Sequence, residues 1–377
     1  MRSSNEIALA IREFASQLGG LRVCLVAGTL GQGGAERQLF YMASALRSAG
    51  AKVLTLTLSR GEIWESRLQT IGIPVKLVSQ SKSRIRRLLA IAKEIRKFRP
   101  LIVQSQHFYM NGYSAIAARL CGARAVGAVR NDGLSDMQDC GRYFGSICMR
   151  LPHRLAVNSQ AAMRNLTALG CRREKLFYLP NAVDLSQFRF PVSRDGDVVT
   201  VLGIGRLAPQ KRFDRFLRVI VRLRRSCRMP FKAFIVGEGA LRGELEKLAR
   251  DFDLCPGTVV FCGNVSDIQS LYFKGNVLLL MSDYEGTPNV VIEAMASGMP
   301  VVATAVGDVP DLVQHGVTGY LIESSDEEGA FRHLESLTGN PGLRESMGLR
   351  ARAFIESHYA LDVLPGNLAR LYAEVLA

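Results

Sequence analysis

The clearest chemical signal in the chain lies in the stretch VLLLMSDYEGTPNVVIEAMASGMPVVAT, Val277 to Thr304. Glu285 and Glu293 stand eight residues apart, and Gly286, Thr287, Pro288, Asn289 and Val290 follow the first of them directly. Thr287-Pro288 reads as a helix start, an N-cap hydroxyl followed by proline at the first helical position. The amides of Thr287, Asn289 and Val290 then lack carbonyl partners and the helix dipole adds positive potential, so this corner suits a phosphate. A carboxylate repels phosphate and accepts from neutral donors, which assigns Glu285 and Glu293 to hydroxyl groups. A diphosphate between two polyhydroxylated ends satisfies the arrangement, and a nucleotide-sugar is such a molecule.

The flanking elements put this loop where a ligand can reach it. Val277–Met281 is a short apolar run, the pattern of a strand buried on both faces of a parallel sheet. The helix runs through Glu293 to Ser297, Gly298 and Pro300 end it, and Met299–Val302 opens the next strand. The loop therefore lies at the carboxyl edge of the sheet, where open α/β folds bind their ligands.

E-G-T-P-N-V-V-I-E resembles the Glu-x7-Glu motif of the retaining glycosyltransferases of family 4. The resemblance implies the α/β GT-B fold, two Rossmann-like doubly wound parallel-sheet domains facing across a cleft. It implies that Glu285 approaches the donor sugar's hydroxyls and that Glu293 holds the ribose. Gly205-Arg206-Leu-Ala-Pro-Gln-Lys211 resembles the family's Gly-Arg-Leu-x-x-x-Lys segment. A guanidinium and an ammonium at this spacing can bracket one diphosphate and stabilise the leaving nucleotide. Gly237, in a strand-end turn, and Val265, after Cys262-Gly263-Asn264, look like the segments that line the family's donor site.

The first half carries looser matches. Leu21–Ala27 reads as a strand, followed by a loop from Gly28 to Arg37 whose glycines let backbone amides approach a ligand. Read as a dinucleotide fingerprint from Gly31, it has Glu36 where Gly or Ala is needed. The next strand, Lys52–Leu58, ends in Ser59-Arg60 with no acidic residue for a ribose, although an arginine there could tolerate NADP. Gly33-Gly34-Ala-Glu-Arg looks like the family's first-domain glycine loop, whose amides face donor phosphates or the acceptor; a tight turn with no ligand is the alternative. Gln106-His107-Phe108-Tyr109-Met110-Asn111 resembles the family's His-x-His segment, but Gln104 and Gln106 occupy the histidine positions. His107, or Gln106 through its amide, would take the sugar-contacting role. Asp132 and Asp136 follow the Ala125–Arg130 strand in a loop resembling one that faces the acceptor.

With 377 residues, the chain is too long for one ordinary α/β core. The expected division is 1–190 as an acceptor-binding domain, 191–358 as a donor-binding domain, and 359–377 as a helix crossing back to the first. No apolar run is long enough for a membrane span, and the N-terminus lacks the layout of a signal peptide. Residues 1–20 read as an amphipathic helix with Ile7, Ile11 and Phe14 on one face. The eight cysteines form no CxxC pair or His/Cys cluster, which favours reduced thiols and a cytoplasmic location, without a metal.

The net charge of +14 points to an anionic partner: a phosphorylated substrate, an anionic membrane surface or nucleic acid. Ile85, Leu88, Leu89, Ala92, Ile95 and Phe98 form an apolar helical stripe, and Arg86, Lys93 and Lys97 fall within about 40° of one another on the other side. That basic face is either solvated or a contact for lipid headgroups on the inner membrane surface. Arg215, Arg218, Arg222 and Arg225 form a second ridge with the same two readings. Asp195-Gly-Asp197 and Asp251-Phe-Asp253 precede strands, the wrong sheet edge for a metal-dependent transferase.

The expected activity is metal-independent transfer of a hexose-type sugar from a nucleotide-sugar donor to a saccharide or lipid-linked acceptor, with retention, in cell-surface polysaccharide or glycolipid assembly. No cofactor and no nucleic acid partner are expected. A nucleotide-sugar 2-epimerase of the same architecture, an NADP oxidoreductase and a non-catalytic basic protein bound to membrane or nucleic acid are the alternatives.

Overall fold

Short runs of valine, leucine and isoleucine, each ending at a glycine or polar residue, form two all-parallel sheets in the computed structural model. Residues 18–31, 33–79, 81, 83–188, 190, 198–226 and 229–377 are described. The N-terminal helix expected over 1–20 falls outside them up to residue 17, as do Pro191 and Asp195 to Asp197 just after the expected domain boundary.

The chain divides into two units, one built from the residues up to Ala182 with Leu361–Ala377, the other from Val183–Ala360. The cut falls eight residues ahead of the boundary expected at 190. Val183 bridges to Ala360, and Phe188 is buried in the second unit's core, which ties this stretch to that unit.

In the first unit the strands are Arg22–Val26 (β1), Lys52–Thr57 (β2), Val75–Leu77 (β3), Ile102–Ser105 (β4), Arg124–Val129 (β5), Arg154–Val157 (β6) and Leu176–Tyr178 (β7). Their spatial order is β3-β2-β1-β4-β5-β6-β7. β3, a three-residue edge strand, gave no sequence signal, being too short to show a period. Helices cover both faces. Leu39, Met42 and Leu46 of the Gly34–Ser48 helix pack on one side with Leu368 and Tyr372 of the C-terminal Leu364–Leu376 helix. Tyr372 donates a hydrogen bond of 2.6 Å to the buried Gln104 Oε1, so this glutamine anchors the C-terminal helix.

The other face carries the Arg84–Phe98 helix, capped by Ser83, whose hydroxyl accepts from the Arg86 amide. Its buried residues are Ile91, Ala92 and Ile95, while Ile85 and Leu89 are 70% and 61% exposed. At 100° per residue these two lie about 80° and about 120° from the centre of the buried face, too far round to reach the core. The expected apolar stripe is thus narrower than its composition suggests.

The second unit contains Val199–Ile204 (β8), Phe231–Val236 (β9), Val259–Gly263 (β10), Val277–Leu280 (β11), Val301–Thr304 (β12) and Gly319–Ile322 (β13). They run β10-β9-β8-β11-β12-β13, the order of a doubly wound Rossmann sheet. β11 and β12 are buried at every position, which explains why β11 is wholly apolar and β12 is apolar up to Thr304. The Phe213–Ser226 helix buries Phe213, Phe216, Leu217 and Ile220. Of its outer arginines, Arg215 pairs with Asp283, Arg218 with Asp214 and Glu327, and Arg222 with Glu328. Three members of the second basic ridge are therefore neutralised by the chain itself.

Candidate active site

Each sheet changes direction once, between β1 and β4 in the first unit and between β8 and β11 in the second. Crossovers on the two sides of such a point leave in opposite directions and open a crevice at the strand ends. In both units a pair of polar side chains links the two loops that meet there.

In the second unit the pair is Lys211 and Glu285. After β8, Gly205 and Arg206 lead to a single 3-10 turn, Pro209–Lys211, and Arg212 adopts a left-handed conformation (φ 48) before the Phe213–Ser226 helix begins. The turn leaves Lys211 off the helix, and its Nζ donates to Glu285 Oε1 at 2.5 Å. Both side chains are largely buried, 15% and 8% exposed. Ser282 donates to the same oxygen at 2.7 Å, and Thr304 holds the Ser282 carbonyl at 2.7 Å. A charge-assisted bond with a second donor on the carboxylate fixes both groups in place. Arg206 is exposed, and its guanidinium has no hydrogen-bond or ion-pair partner among the described residues. It is therefore available to a ligand.

The helix that follows runs Asn289–Ala296, starting one residue later than expected. Pro288 takes the N-cap conformation (φ −73, ψ 110), and its carbonyl accepts from Val291 and Ile292 at 3.1 and 3.4 Å. Thr287 is consequently not the cap; its hydroxyl donates to the buried Asp308 at 2.8 Å. Asn289 and Val290 occupy the first helical positions, at the positive end of the helix dipole. Glu293 is buried just over one turn into the helix.

The loop after β12 supports this corner from below. The Asp308 amide donates to the Gly286 carbonyl at 3.0 Å, and Gly307 is left-handed (φ 56). A Cβ on Gly307 would run into the carbonyls of Glu285 and Gly286, so only glycine fits. Sequence reasoning missed Gly307 and Asp308; their one signal was a Val-Gly-Asp step at a strand end. Gly237, after β9, touches the same region: a Cβ there would overlap the Gly205 carbonyl. Val265 packs its side chain on the core just beyond the left-handed Gly263.

In the first unit the pair is His107 and Glu36. The Gly28 amide donates to His107 Nδ1 at 3.2 Å, which leaves the proton of the neutral ring on Nε2, facing Glu36 Oε1 at 3.1 Å. Glu36 lies in the first turn of the Gly34–Ser48 helix, with Gly33 as its N-cap and Gly34 as its first residue. A Cβ on Gly33 would strike the Glu36 carboxylate, and one on Gly28 would overlap the Tyr109 hydroxyl. Glu36, noticed in the sequence only because it broke a dinucleotide fingerprint, is the histidine's partner.

Glu62 was also missed. It accepts from Thr29 Oγ1 at 2.8 Å and from the Leu30 amide and Ser59 hydroxyl, pinning the glycine loop to the segment after β2. Burial opposes its charge, but these hydrogen bonds hold the carboxyl below its usual range. Gln106 donates to the Ala35 carbonyl, whereas its buried Oε1 has no partner among the described residues. Asp132 accepts from the Ser135 amide at 2.8 Å, and burial pushes the Asp136 carboxyl up to about 6. No cluster of three or more His, Cys, Asp or Glu residues is placed to hold a metal ion among the described residues.

Both halves match family models, residues 32–187 a "Glycosyltransferase Family 4" domain and residues 198–340 a "Glycosyl transferases group 1" domain. The N-acetyl-alpha-D-glucosaminyl L-malate synthase of Bacillus anthracis is 30% identical over 38% of this chain and 38% of its own. The capsular polysaccharide biosynthesis glycosyltransferase CapM of Staphylococcus aureus is 24% identical over 62% of each. The alignments thus span less than two thirds of the length of these curated relatives. Among solved structures, Anabaena HepE in complex with UDP and glucose superposes with a TM-score of 0.80 at 19% identity, covering 94% of this chain and 99% of that one. The two models take up most of the chain between them, and the fold is that of HepE, so the protein belongs to the group 1 glycosyltransferases of family 4 and has their GT-B architecture.

Proposed function

We propose that the protein is a retaining, metal-independent glycosyltransferase that moves a hexose-type sugar from a nucleotide-sugar to a hydroxyl of a saccharide or lipid-linked saccharide. The observation that carries this reading is the Lys211–Glu285 pair at the turning point of the second sheet, beside the tip of the Asn289–Ala296 helix. An ammonium, the exposed guanidinium of Arg206 and the first-turn amides of Asn289 and Val290 together suit a diphosphate. As the sugar–phosphate bond breaks, negative charge grows on the departing nucleotide, and these fixed positive groups meet it without a metal. Glu285, held by Lys211 and Ser282, receives sugar hydroxyls; Glu293 receives the ribose; backbone groups near Gly237 and Val265 border the base.

In the first unit, the Gly34 amide and the His107 ring approach the acceptor or the transferred sugar, while the Gly33 amide donates to the Gly31 carbonyl at 2.9 Å. HepE was crystallised with UDP and glucose, and CapM is named for capsular polysaccharide synthesis, which supports a UDP-sugar donor and a cell-surface product. Exposed Ile85 and Leu89 beside Arg86, Lys93 and Lys97 support a peripheral contact with an anionic membrane. No described helix is long and apolar enough to cross one.

A thermal-shift screen against UDP-, GDP- and ADP-sugars tests the reading, since a ligand that binds only the folded state raises its melting temperature. One nucleotide-sugar series should stabilise the wild type and fail to stabilise Glu293→Gln. Indifference to all three would refute donor binding. Release of a rearranged sugar without any acceptor would show a 2-epimerase instead.

A further inference from the structure

Arg130 stands at the carboxyl end of β5, one strand beyond the turning point of the first sheet. Its Nε is sealed from solvent and makes no hydrogen bond, and its one described contact is an Nη2 atom 3.8 Å from the thioether of Met42. No carboxylate pairs with it among the described residues. Asp132 accepts from the Ser135 amide and Asp136 Oδ1 from the Asn131 side chain at 3.4 Å, while Asp136 Oδ2 is buried without a described partner. Burial, the one cause acting on it, pushes the guanidinium down to about 10. Met42 also faces Gln104 Nε2 at 3.4 Å, so the arginine reaches across β4 toward the helix that opens at the glycine loop.

A half-buried cation whose Nε is sealed from water and unpaired is unfavourable, and no described carboxylate or hydrogen-bond acceptor compensates for it. Residues kept in such a state at the carboxyl edge of a parallel sheet are suited to a ligand that brings the missing charge. The guanidinium fork matches the planar or tetrahedral oxygens of a carboxylate or phosphate. We propose that Arg130 is an acceptor-recognition residue that receives a compact oxyanion carried by the acceptor, which makes an anionic saccharide or a phosphate-linked one the substrate class. This rests on the transferase reading, in which the first unit takes the acceptor.

The test uses the full chain and two probes, methyl phosphate and glucuronate, titrated in thermal unfolding. The background is Lys211→Ala, which removes a competing phosphate ligand from the second unit. Both the wild type and Lys211→Ala should gain several degrees with one of the two probes, and which one distinguishes a phosphate from a carboxylate on the acceptor. Arg130→Met, similar in volume, should lose that response and melt no lower than the wild type without ligand; Arg130→Lys should keep a weakened response. An undiminished response in Arg130→Met overturns the proposal, as does a wild type indifferent to both probes. A ligand-free Arg130→Met that melts far below the wild type would show a structural arginine and overturn it too. Neither probe is a nucleotide, so a failure of donor binding is read separately, from UDP-sugar shifts.

Discussion

Lys211 and Glu285 lie 74 residues apart in sequence, yet their charged atoms are 2.5 Å apart. The bond ties the loop after β8 to the loop after β11 and leaves the ammonium held at the base of a helix tip. Lys211→Ala should lower turnover by about 10²-fold or more, the scale of losing one group that stabilises transition-state charge. It should also destabilise the second unit, because Glu285 remains buried with Ser282 as its one described partner. Steady-state kinetics with the donor found in the screen checks the first effect, and urea unfolding the second. An unchanged kcat would remove Lys211 from the chemistry.

His107 is held on both ring nitrogens, by the Gly28 amide and by Glu36. His107→Ala deletes two hydrogen bonds in a half-buried setting and should cost about 1–3 kcal/mol of stability in denaturant unfolding. Glu36→Gln keeps an acceptor for Nε2 and should fold normally. If His107 touches the transferred sugar, His107→Ala also loses kcat beyond anything seen for Glu36→Gln; equal kinetics in the two variants would confine the ring to a structural role.

Asp136 makes a pH-dependent contribution. Burial raises its folded-state value to about 6, above the unfolded 3.8, so between these values the native state binds more protons than the unfolded one. Stability from this group is therefore lost as pH rises from about 4 to about 6, and the deficit persists at neutral pH. Asp136→Asn should be more stable than the wild type at pH 7 by about 1–3 kcal/mol and should match it near pH 4. Equal stability at pH 7 would show that the carboxyl ionises freely in the folded chain.

Vesicle sedimentation addresses the Arg84–Phe98 helix. Binding to anionic vesicles should weaken when salt is raised and when Arg86, Lys93 and Lys97 are replaced by glutamine, each charge contributing about 1 kcal/mol near the surface. Leu89→Glu, on an exposed position, should weaken it without altering the melting temperature. Binding that ignores both salt and Leu89→Glu would exclude this face.

Much of the site was legible because its signals are local. Glycine followed by arginine after an apolar run, and a glutamate-glycine step before a proline-led helix, mark strand ends wherever they occur. The residues that escaped notice act at long range. Glu62 pins a loop about 30 residues earlier in the chain, Asp308 holds Thr287 and Gly286 from the next strand's loop, and Glu36 looked like a misfit until His107 came beside it. Ile85 and Leu89 show the reverse error. Their spacing fits a buried stripe, but the width of that stripe is set by how the helix lies on its sheet.

The amino-acid sequence by itself determined the two-sheet α/β architecture, the strand ends that carry chemistry, and the pairing of acidic and basic residue types around the Asn289–Ala296 helix. Periodicity and turn chemistry act over a few residues, so they are complete in the linear chain. Which of those strand ends meet was decided by tertiary structure. In a parallel sheet neighbours are joined by long crossovers, and strand order determines which loops share the crevice. Only that order brings Lys211 to Glu285 and His107 to Glu36, and only packing leaves the Arg130 guanidinium without a countercharge among the described residues.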